Sequence, residues 1–247
     1  MSHQNSRDHA VRTMFDQIAR RYDLLNRLIS LRLDIRWRQQ AIAAAVQTGN
    51  ETVLDLGTGT GDLAFAAASR LSGGKVIGLD FSLAMLRIAE AKRAETARPS
   101  RVSFVLGSAL APPFKNERFD AIVTAFVLRN ISNLDLFFAN SYCALKPGGR
   151  LVTLDMFPPA RGWFSALYSV YFHRWMPWLG GVLGGHRNAY DYLSESVRRF
   201  DTPERIADRI RQSRFDPVTV QKFLRGAVCM HIAEKPGPAG RSESVDV

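Results

Sequence analysis

The chain has 247 residues, of which 46% are hydrophobic. This length and composition predict one sizeable core and exclude a chain that is disordered over most of its length. The N-terminus is polar and every long apolar run is interrupted, so the sequence predicts a cytoplasmic protein without a signal peptide or a membrane span. The net charge of +10 favours binding to an anionic partner, either nucleic acid or a membrane surface. The alternative is that the charge reflects only an arginine-rich composition.

Apolar residues recur at helical spacing between Val11 and Ile29. The pattern predicts an amphipathic helix that breaks near 26–30, followed by a second helix over 33–46. The first 50 residues hold eight arginines against four aspartates. Two interpretations of 11–50 stay open: ordinary packing, or a helical cap that covers a substrate and has a basic outer face.

An apolar run over 53–56 leads into three glycines at alternate positions, and a helical pattern follows over 63–71. This order predicts a strand, a tight turn and a helix, in which the glycines let a ligand lie against the backbone and the helix N-terminus presents free N–H groups. The spacing is one residue shorter than the fingerprint of dinucleotide-binding loops. It therefore favours a nucleoside that carries an amino acid, S-adenosylmethionine, over a turn with a purely structural role. The cofactor-binding candidates in this loop are Asp55, Gly57, Gly59, Thr60 and Gly61.

A second buried strand ends in Asp80, about 20 residues beyond the glycine loop. In doubly wound folds a carboxylate at this place accepts hydrogen bonds from ribose hydroxyls. The neighbouring Phe81 is a candidate to cover one face of adenine. A third strand over 102–106 ends in a turn whose Ser108 and Ala109 are candidates to hold the adenine ring.

A continuous apolar strand over 119–126 is followed by Arg129 and Asn130. Since ligands bind outside the carboxyl ends of parallel strands, both side chains are expected at the rim of an active site. A solvated loop is the alternative for Arg129. A further helix and a fifth strand over 150–156 complete the order β-α-β-α-β-β-α-β, which indicates a parallel sheet covered by helices within 51–156.

Residues 157–200 interrupt this order with three of the four tryptophans and a glycine-rich loop. Two helices are predicted there, over 163–176 and 190–199. The aromatic residues suit a lid over a large hydrophobic substrate, a protein interface or a membrane contact, and ordinary core packing explains them equally well.

The C-terminal part of the chain is predicted to close the sheet. A helix capped by Asp201 or Thr202 precedes two alternating strands, over 217–224 and 227–234, which predict an antiparallel hairpin. Residues 235–247 are rich in Pro, Gly and Ser and are expected to form a disordered tail.

The two cysteines, Cys143 and Cys229, lie far apart in the sequence. Buried free thiols in a reducing compartment are the expected state. No cluster of His, Cys and carboxylate residues has the spacing of metal ligands, so no metal is expected.

Several motifs together resemble those of a known enzyme class. The glycine loop, Asp80 and the stretch 145–151 (Leu-Lys-Pro-Gly-Gly-Arg-Leu) resemble class I S-adenosylmethionine-dependent methyltransferases. The stretches 22–26 (Tyr-Asp-Leu-Leu-Asn) and 126–130 (Phe-Val-Leu-Arg-Asn) resemble the quinone-biosynthesis C-methyltransferases of the UbiE/MenG family. This resemblance extends over 11–234. It implies a single α/β domain with a Rossmann-like, doubly wound, mostly parallel seven-stranded sheet, an antiparallel C-terminal hairpin, N-terminal helices and a helical lid insertion.

The resemblance also implies an activity. It is the transfer of a methyl group from S-adenosylmethionine to a ring carbon of a demethylated quinol, of the demethylmenaquinol or polyprenyl-methoxybenzoquinol type. Arg129 would stabilise a phenolate, while Asn130 and Tyr22 would orient the ring oxygens. His173 and Asp155 would be candidate bases.

The chain departs from the family's pattern near the cofactor. Ala125 stands in place of a cofactor-contacting serine, and Ser108 stands in place of an asparagine next to Ala109. Ala125 is nevertheless a cofactor-binding candidate by position. These departures concern the acceptor more than the reaction class, so another phenolic or prenylated acceptor fits as well.

The expected partners follow from the acceptor. A polyprenyl tail belongs in the membrane, so a basic, Trp-rich chain is expected to attach peripherally to the anionic inner face of a membrane. The alternatives are a methyltransferase for a soluble phenol, or a non-catalytic protein that binds S-adenosylmethionine for assembly or regulation. No RNA-binding module is visible, so no nucleic-acid partner is expected. Whether the chain forms a homodimer stays open.

Overall fold

The computed structural model describes residues 11–158 and 187–237. Within them, seven strands form one sheet. The strands are β1 (Thr52–Leu56), β2 (Lys75–Asp80), β3 (Val102–Leu106), β4 (Phe119–Ala125), β5 (Leu145–Met156), β6 (Val218–Phe223) and β7 (Val228–Glu234). Their order is β3-β2-β1-β4-β5-β7-β6. β1 to β5 run parallel, and β7 pairs antiparallel with both β5 and β6. The predicted fold class is confirmed.

Helices connect the strands and cover the sheet. The described helices are α1 (11–18), α2 (Tyr22–Ile29), α3 (Leu33–Ala45), α4 (Asp62–Arg70), α5 (Leu83–Ala94), α6 (Leu134–Ala144), α7 (Arg187–Arg198) and α8 (Pro203–Gln212). A 3-10 turn, Ala19–Arg21, joins α1 to α2. Among these residues, no helix is both long and apolar enough to cross a membrane.

Alternating strand residues divide the core between the two faces of the sheet. Val53 packs with residues of α3 and α4 on one face, whereas Leu54 packs with residues of α6 and α8 on the other. The strand order changes direction between β1 and β4, and such a switch point opens a crevice at the carboxyl ends of the strands. This crevice is where a ligand is expected.

Side-chain caps explain where three of the helices begin. Ser82 accepts a hydrogen bond from the Met85 N–H at the start of α5, and Asn133 accepts one from the Leu136 N–H at the start of α6. Thr202 caps α8, with proline in the first turn, as the sequence predicts. These caps satisfy N–H groups that the helices themselves leave free.

The start of β5 was predicted wrongly. The strand begins at Leu145, not at 150, and Leu145 lies opposite Phe119 of β4. The Gly148 N–H donates to the Lys235 carbonyl (2.9 Å), and the Lys235 N–H donates to the Gly149 carbonyl (2.8 Å). Because these partners lie far away in the sequence, the local Pro-Gly-Gly pattern suggested a loop.

The predicted helical break is confirmed, and one other expectation needs correction. α2 ends at Ile29 with Ser30 as its C-cap, and the break extends through Leu31 and Arg32, both with positive φ. Both cysteines are free, but Cys143 on α6 is exposed and only Cys229 is buried. The β6–β7 hairpin is confirmed, and a 3-10 turn closes it over Leu224–Gly226.

Candidate functional site

A cavity of about 340 Å³ lies at the carboxyl ends of β1, β2 and β4. Its volume is within the ~300–1,000 Å³ that small-molecule sites occupy. Residues of the N-terminal helices, the glycine loop and the turns after β2, β3 and β4 surround it. They are Val11, Arg12, Phe15, Tyr22, Gly57, Gly59, Leu79, Asp80, Phe81, Met85, Gly107, Ser108, Ala109, Leu110, Phe126, Val127, Asn130, Ile131 and Ser132.

The glycine loop forms one wall of the cavity because its backbone is left-handed. Gly57 has a φ of +73° and Gly59 a φ of +56°, a conformation that glycine adopts at little cost. A Cβ on Gly57 would come within 2.5 Å of Val127, whereas a Cβ on Gly59 would meet nothing closer than Tyr22 at 3.9 Å. The space beside Gly59 is therefore open to a ligand.

Asp80 projects from the end of β2 and stabilises the loop. Its Oδ2 accepts from the Gly59 N–H (2.7 Å), and its Oδ1 accepts from the Ser82 N–H (2.9 Å). Burial raises the pKa of Asp80 to about 6, although these N–H donors act in the opposite direction. Each carboxylate oxygen has a further lone pair for a ligand hydroxyl, so Asp80 can accept from a ribose diol while it holds the loop.

Asp55 supports the loop from below. It is buried and does not line the cavity, and the Thr58 hydroxyl donates to its Oδ2 (2.7 Å). Burial raises the pKa of Asp55 to about 7, partly offset by the Thr58 hydroxyl and the charge of Arg38. A nearby cationic group would favour its ionised form.

Polar contacts fasten α2 to the glycine loop. The Thr60 hydroxyl donates to Asp23 Oδ1 of α2 (2.5 Å). Lys92 of α5 pairs with Asp23 Oδ2 (2.5 Å) and with Asp62 Oδ1 (2.7 Å). Helix α2 is thus held beside the cavity by the glycine loop and by Lys92 of α5, which Asp62 at the start of α4 also binds.

A second, smaller chamber of about 50 Å³ adjoins the cavity. The two share Phe15, Tyr22 and Asn130 in their walls. The lining of the chamber is mostly apolar on the side of α1 and α2 and polar on the side of β4. It consists of Met14, Phe15, Ile18, Tyr22, Leu25, Asn26, Ile29, Arg129, Asn130 and Tyr192.

Arg129 contributes to the polar wall of this chamber and is paired with the buried carboxylate of Asp155 behind it. Its Nη1 is 2.6 Å from Asp155 Oδ1, and the side chains are 7% and 0% exposed. Asp155 Oδ1 also accepts from the Met156 N–H (2.8 Å). Among the described residues, the buried Nε of Arg129 has no hydrogen-bond partner.

Asn130 lies between the two cavities and is oriented by Tyr192 of α7. The Tyr192 hydroxyl donates to Asn130 Oδ1 (3.0 Å). Tyr22 packs edge-on against Phe15 with ring centroids 5.9 Å apart, and Phe15 packs likewise against Phe81 at 6.4 Å. An aromatic row therefore runs from the cofactor cavity into the chamber.

Comparison with known proteins identifies the class of enzyme. The model of the ubiE/COQ5 methyltransferase family matches residues 3–235. The chain belongs to this family. A demethylmenaquinone methyltransferase of Thermus thermophilus is 42% identical over 223 residues, covering 90% of this chain and 100% of that protein. Another from Deinococcus radiodurans is 41% identical, covering 83% of this chain and 85% of that protein.

The solved structures agree on the fold. Phosphoethanolamine N-methyltransferase 2 of Haemonchus contortus, in complex with S-adenosyl-L-methionine, matches with a TM-score of 0.57 and 18% identity. The match covers 80% of this chain and 52% of that one. As a member of the ubiE/COQ5 family, the chain is an S-adenosylmethionine-dependent methyltransferase. The open space at Gly59 beside the Asp80 carboxylate fits this cofactor.

The predicted cofactor residues divide into two groups in this methyltransferase. Gly57, Gly59, Asp80, Phe81, Ser108 and Ala109 line the cavity. The lining does not include Asp55, Thr60, Gly61 and Ala125. The first two of these stabilise the loop and its contact with α2, and Phe65 and Phe104 fill the space beside Gly61. Direct contact of this second group with the cofactor stays a prediction.

Three of the four predicted catalytic residues come together in the chamber. Tyr22, Arg129 and Asn130 line it, and His173 lies outside the described residues. Asp155, the other candidate base, is committed to the Arg129 ion pair. The residues that sequence reasoning missed include Phe15, Asp23 and Tyr192. The apolar spacing of α1 and α2 identifies Phe15 as a residue of the buried face. The residues near Asp23 and Tyr192 in the sequence do not indicate their partners, Thr60 and Asn130.

Proposed function

We propose that the chain transfers the methyl group of S-adenosylmethionine to a ring carbon of demethylmenaquinol. One observation carries the proposal: an apolar chamber with Arg129 and Asn130 in its wall adjoins the cofactor cavity. Its apolar walls suit a flat aromatic ring, and Arg129 and Asn130 suit the ring's oxygen substituents; since the chamber holds only about 50 Å³, part of the ring would extend into the adjoining cavity. The Thermus and Deinococcus relatives, both named demethylmenaquinone methyltransferase, support this acceptor.

The residues of the chamber have distinct roles in the proposed reaction. When bound, S-adenosylmethionine would supply an electrophilic methyl group to the ring carbon and leave as S-adenosylhomocysteine, and the proton of that ring carbon would pass to solvent. The Arg129 guanidinium, held by Asp155, stabilises the negative charge that develops on the quinol oxygen. Asn130, oriented by Tyr192, and the Tyr22 hydroxyl orient the ring oxygens, and the apolar residues of α1 and α2 exclude water.

A methyl-transfer assay with purified protein tests the proposal. The protein is incubated with methyl-labelled S-adenosylmethionine and demethylmenaquinol, a polyprenyl-methoxybenzoquinol or a soluble phenol, and the products are analysed by mass spectrometry. Demethylmenaquinol should gain one methyl group fastest. Asp80→Asn should abolish transfer by weakening cofactor binding, whereas Asp208→Asn on the exposed side of α8 should not. Faster methylation of the soluble phenol would overturn the assignment.

The proposed acceptor has a membrane-bound tail, so we propose that the protein works at the anionic inner face of a membrane. The net charge of +10 supports such a contact. In cells, deletion of the protein should cause a quinone lighter by one methyl group to accumulate. An unchanged quinone pool would contradict the proposed function.

A further inference from the structure

The outer face of α2 exposes a stripe of leucines. Leu24 is 54% exposed, Leu28 is 36% exposed, and Leu31, just beyond the helix, is 74% exposed. Leu24 and Leu28, four residues apart, lie on one side of the helix, and Leu31 follows just beyond its end. Leu31 also has a positive φ of 51°, which is costly for a bulky side chain. A strained and exposed leucine points to a contact outside the folded chain.

Within the segment 20–36, which carries this stripe, the exposed ionisable groups are all cationic. Its two carboxylates are directed inward: Asp23 accepts from Thr60, and Asp34 is buried next to Ser30. Its exposed arginines are Arg20, Arg21, Arg32 and Arg36. On the neighbouring helix α1, the exposed Asp16 accepts from the Ser82 hydroxyl. The segment 20–36 thus combines exposed apolar side chains with positive charge and no exposed carboxylate.

The opposite face of the same helix lines the acceptor chamber, through Tyr22, Leu25, Asn26 and Ile29. Each residue turns an α-helix by about 100°, so Leu24 and Leu28 lie roughly 100–160° around the helix from Tyr22, Asn26 and Ile29, and Leu25 lies between the two faces. A helix with its side chains is about 10–12 Å thick. A surface in contact with the leucines would therefore lie about one helix diameter from the chamber.

We propose that this outer face of α2 docks the protein on an anionic lipid bilayer. The leucines enter the boundary between headgroups and acyl chains, while the arginine stems lie along the apolar surface and their guanidinium groups contact lipid phosphates. The inference rests on the proposed function, because docking brings the chamber to a lipid-tailed acceptor that stays in the bilayer. A protein partner or a second copy of the chain is the alternative occupant.

Vesicle flotation tests the docking surface with two double variants. The unmodified protein should float with vesicles of phosphatidylglycerol and phosphatidylcholine at low salt, and much less with pure phosphatidylcholine. Arg20→Gln with Arg32→Gln should weaken binding about 25-fold, since each cation near the surface contributes about fivefold. Leu24→Ser with Leu31→Ser should weaken it by roughly tenfold or more.

Matched controls keep the same chemical change away from α2. Leu136→Ser with Leu224→Ser alters leucines that are 43% and 44% exposed on other elements. Lys75→Gln with Lys115→Gln removes two exposed cations, at the first residue of β2 and in the loop before β4. Both control variants should bind vesicles like the unmodified protein.

A second readout separates docking from catalysis. With a quinol that lacks the long tail and is dissolved in buffer, all four variants should methylate at the unmodified rate, and only the α2 variants should slow with a long-tailed acceptor in vesicles. If the α2 variants still float, or if sedimentation shows that the leucines join two copies of the chain, the docking inference is wrong. If vesicle binding follows the expected pattern but no quinol is methylated, the docking surface stands and the proposed function fails.

Discussion

Removing the charge of Asp155 tests whether the Arg129 ion pair serves the chemistry or only the fold. The pair is 2.6 Å long, and its side chains are 7% and 0% exposed. Breaking one partner of such a pair costs about 3–5 kcal/mol, because the other charge stays buried and uncompensated. Asp155→Asn alone, or Arg129→Gln alone, should therefore lower Tm by roughly 6–20 °C in a protein of this size.

The double variant with both changes distinguishes the two roles. A neutral amide pair leaves no buried charge, and the asparagine oxygen can still accept from the Met156 N–H, so most of the lost stability should return. Turnover should nevertheless stay about 10²–10³-fold below that of the unmodified protein, because the donor to the acceptor oxygen is gone. Chemical denaturation and kcat with the tail-free quinol measure the two quantities.

The affinity for S-adenosylmethionine serves as the internal control in this cycle. Arg129 lines the acceptor chamber and does not line the cofactor cavity, so the Kd for the cofactor should stay within about twofold. If turnover returned with stability in the double variant, the pair would be structural, and the role of Arg129 in stabilising the acceptor charge would be refuted.

Three further changes have distinct expected outcomes. Gly57→Ala should lose more stability than Gly148→Ala. Both glycines have a positive φ, but only at position 57 would the added Cβ also contact Val127. Equal losses of about 1–2 kcal/mol for the two variants in chemical denaturation would contradict this close contact. Cofactor affinity, measured by calorimetry, should fall about tenfold per pH unit below pH 6 as the raised pKa of Asp80 is crossed and its carboxylate is protonated, and Asp80→Asn should remove this dependence. Burial lowers the pKa of His231 to about 4. As pH falls from about 6.5 to 4, the unfolded chain therefore takes up a proton before the folded protein does, and the folded protein loses stability. The difference in unfolding free energy between the unmodified protein and His231→Gln should shrink in that range, and a constant difference would disprove the shift.

The sequence predicted those features whose signal is local. The three alternate glycines and Asp80 are close in the sequence, and their positions at the ends of β1 and β2 follow from the βαβ pattern. The apolar stripe from Val11 to Ile29 was also visible. Its spacing predicted that one face of the helices is buried, but not whether that face packs on the core or lines a cavity. Both kinds of face show the same helical period.

Features that depend on distant partners could not be predicted. Arg129 and Asp155 were each recognised, but as a free cation and a free base, because their contact joins the ends of β4 and β5 across 26 residues. The early start of β5 likewise depends on Lys235. Asp55 and Thr60 do not line the cavity, and tertiary contacts occupy their side chains, so their contact with the cofactor stays a prediction.

The arrangement of α1 and α2 couples the two halves of the site. Tyr22 and Phe15 lie in the walls of both cavities, and Asp23 of α2 accepts from Thr60 of the glycine loop. Asp16 of α1 accepts from the hydroxyl of Ser82, the residue that follows Asp80 and Phe81. A displacement of the N-terminal helices would therefore disturb the cofactor loop and the acceptor chamber together. The ends of the strands carry the cofactor loop, and the helices form most of the wall of the proposed acceptor chamber. We therefore expect a substitution at Asp23 or Asp16 to change cofactor affinity as well as the use of the acceptor, because both residues also contact the cofactor side of the site.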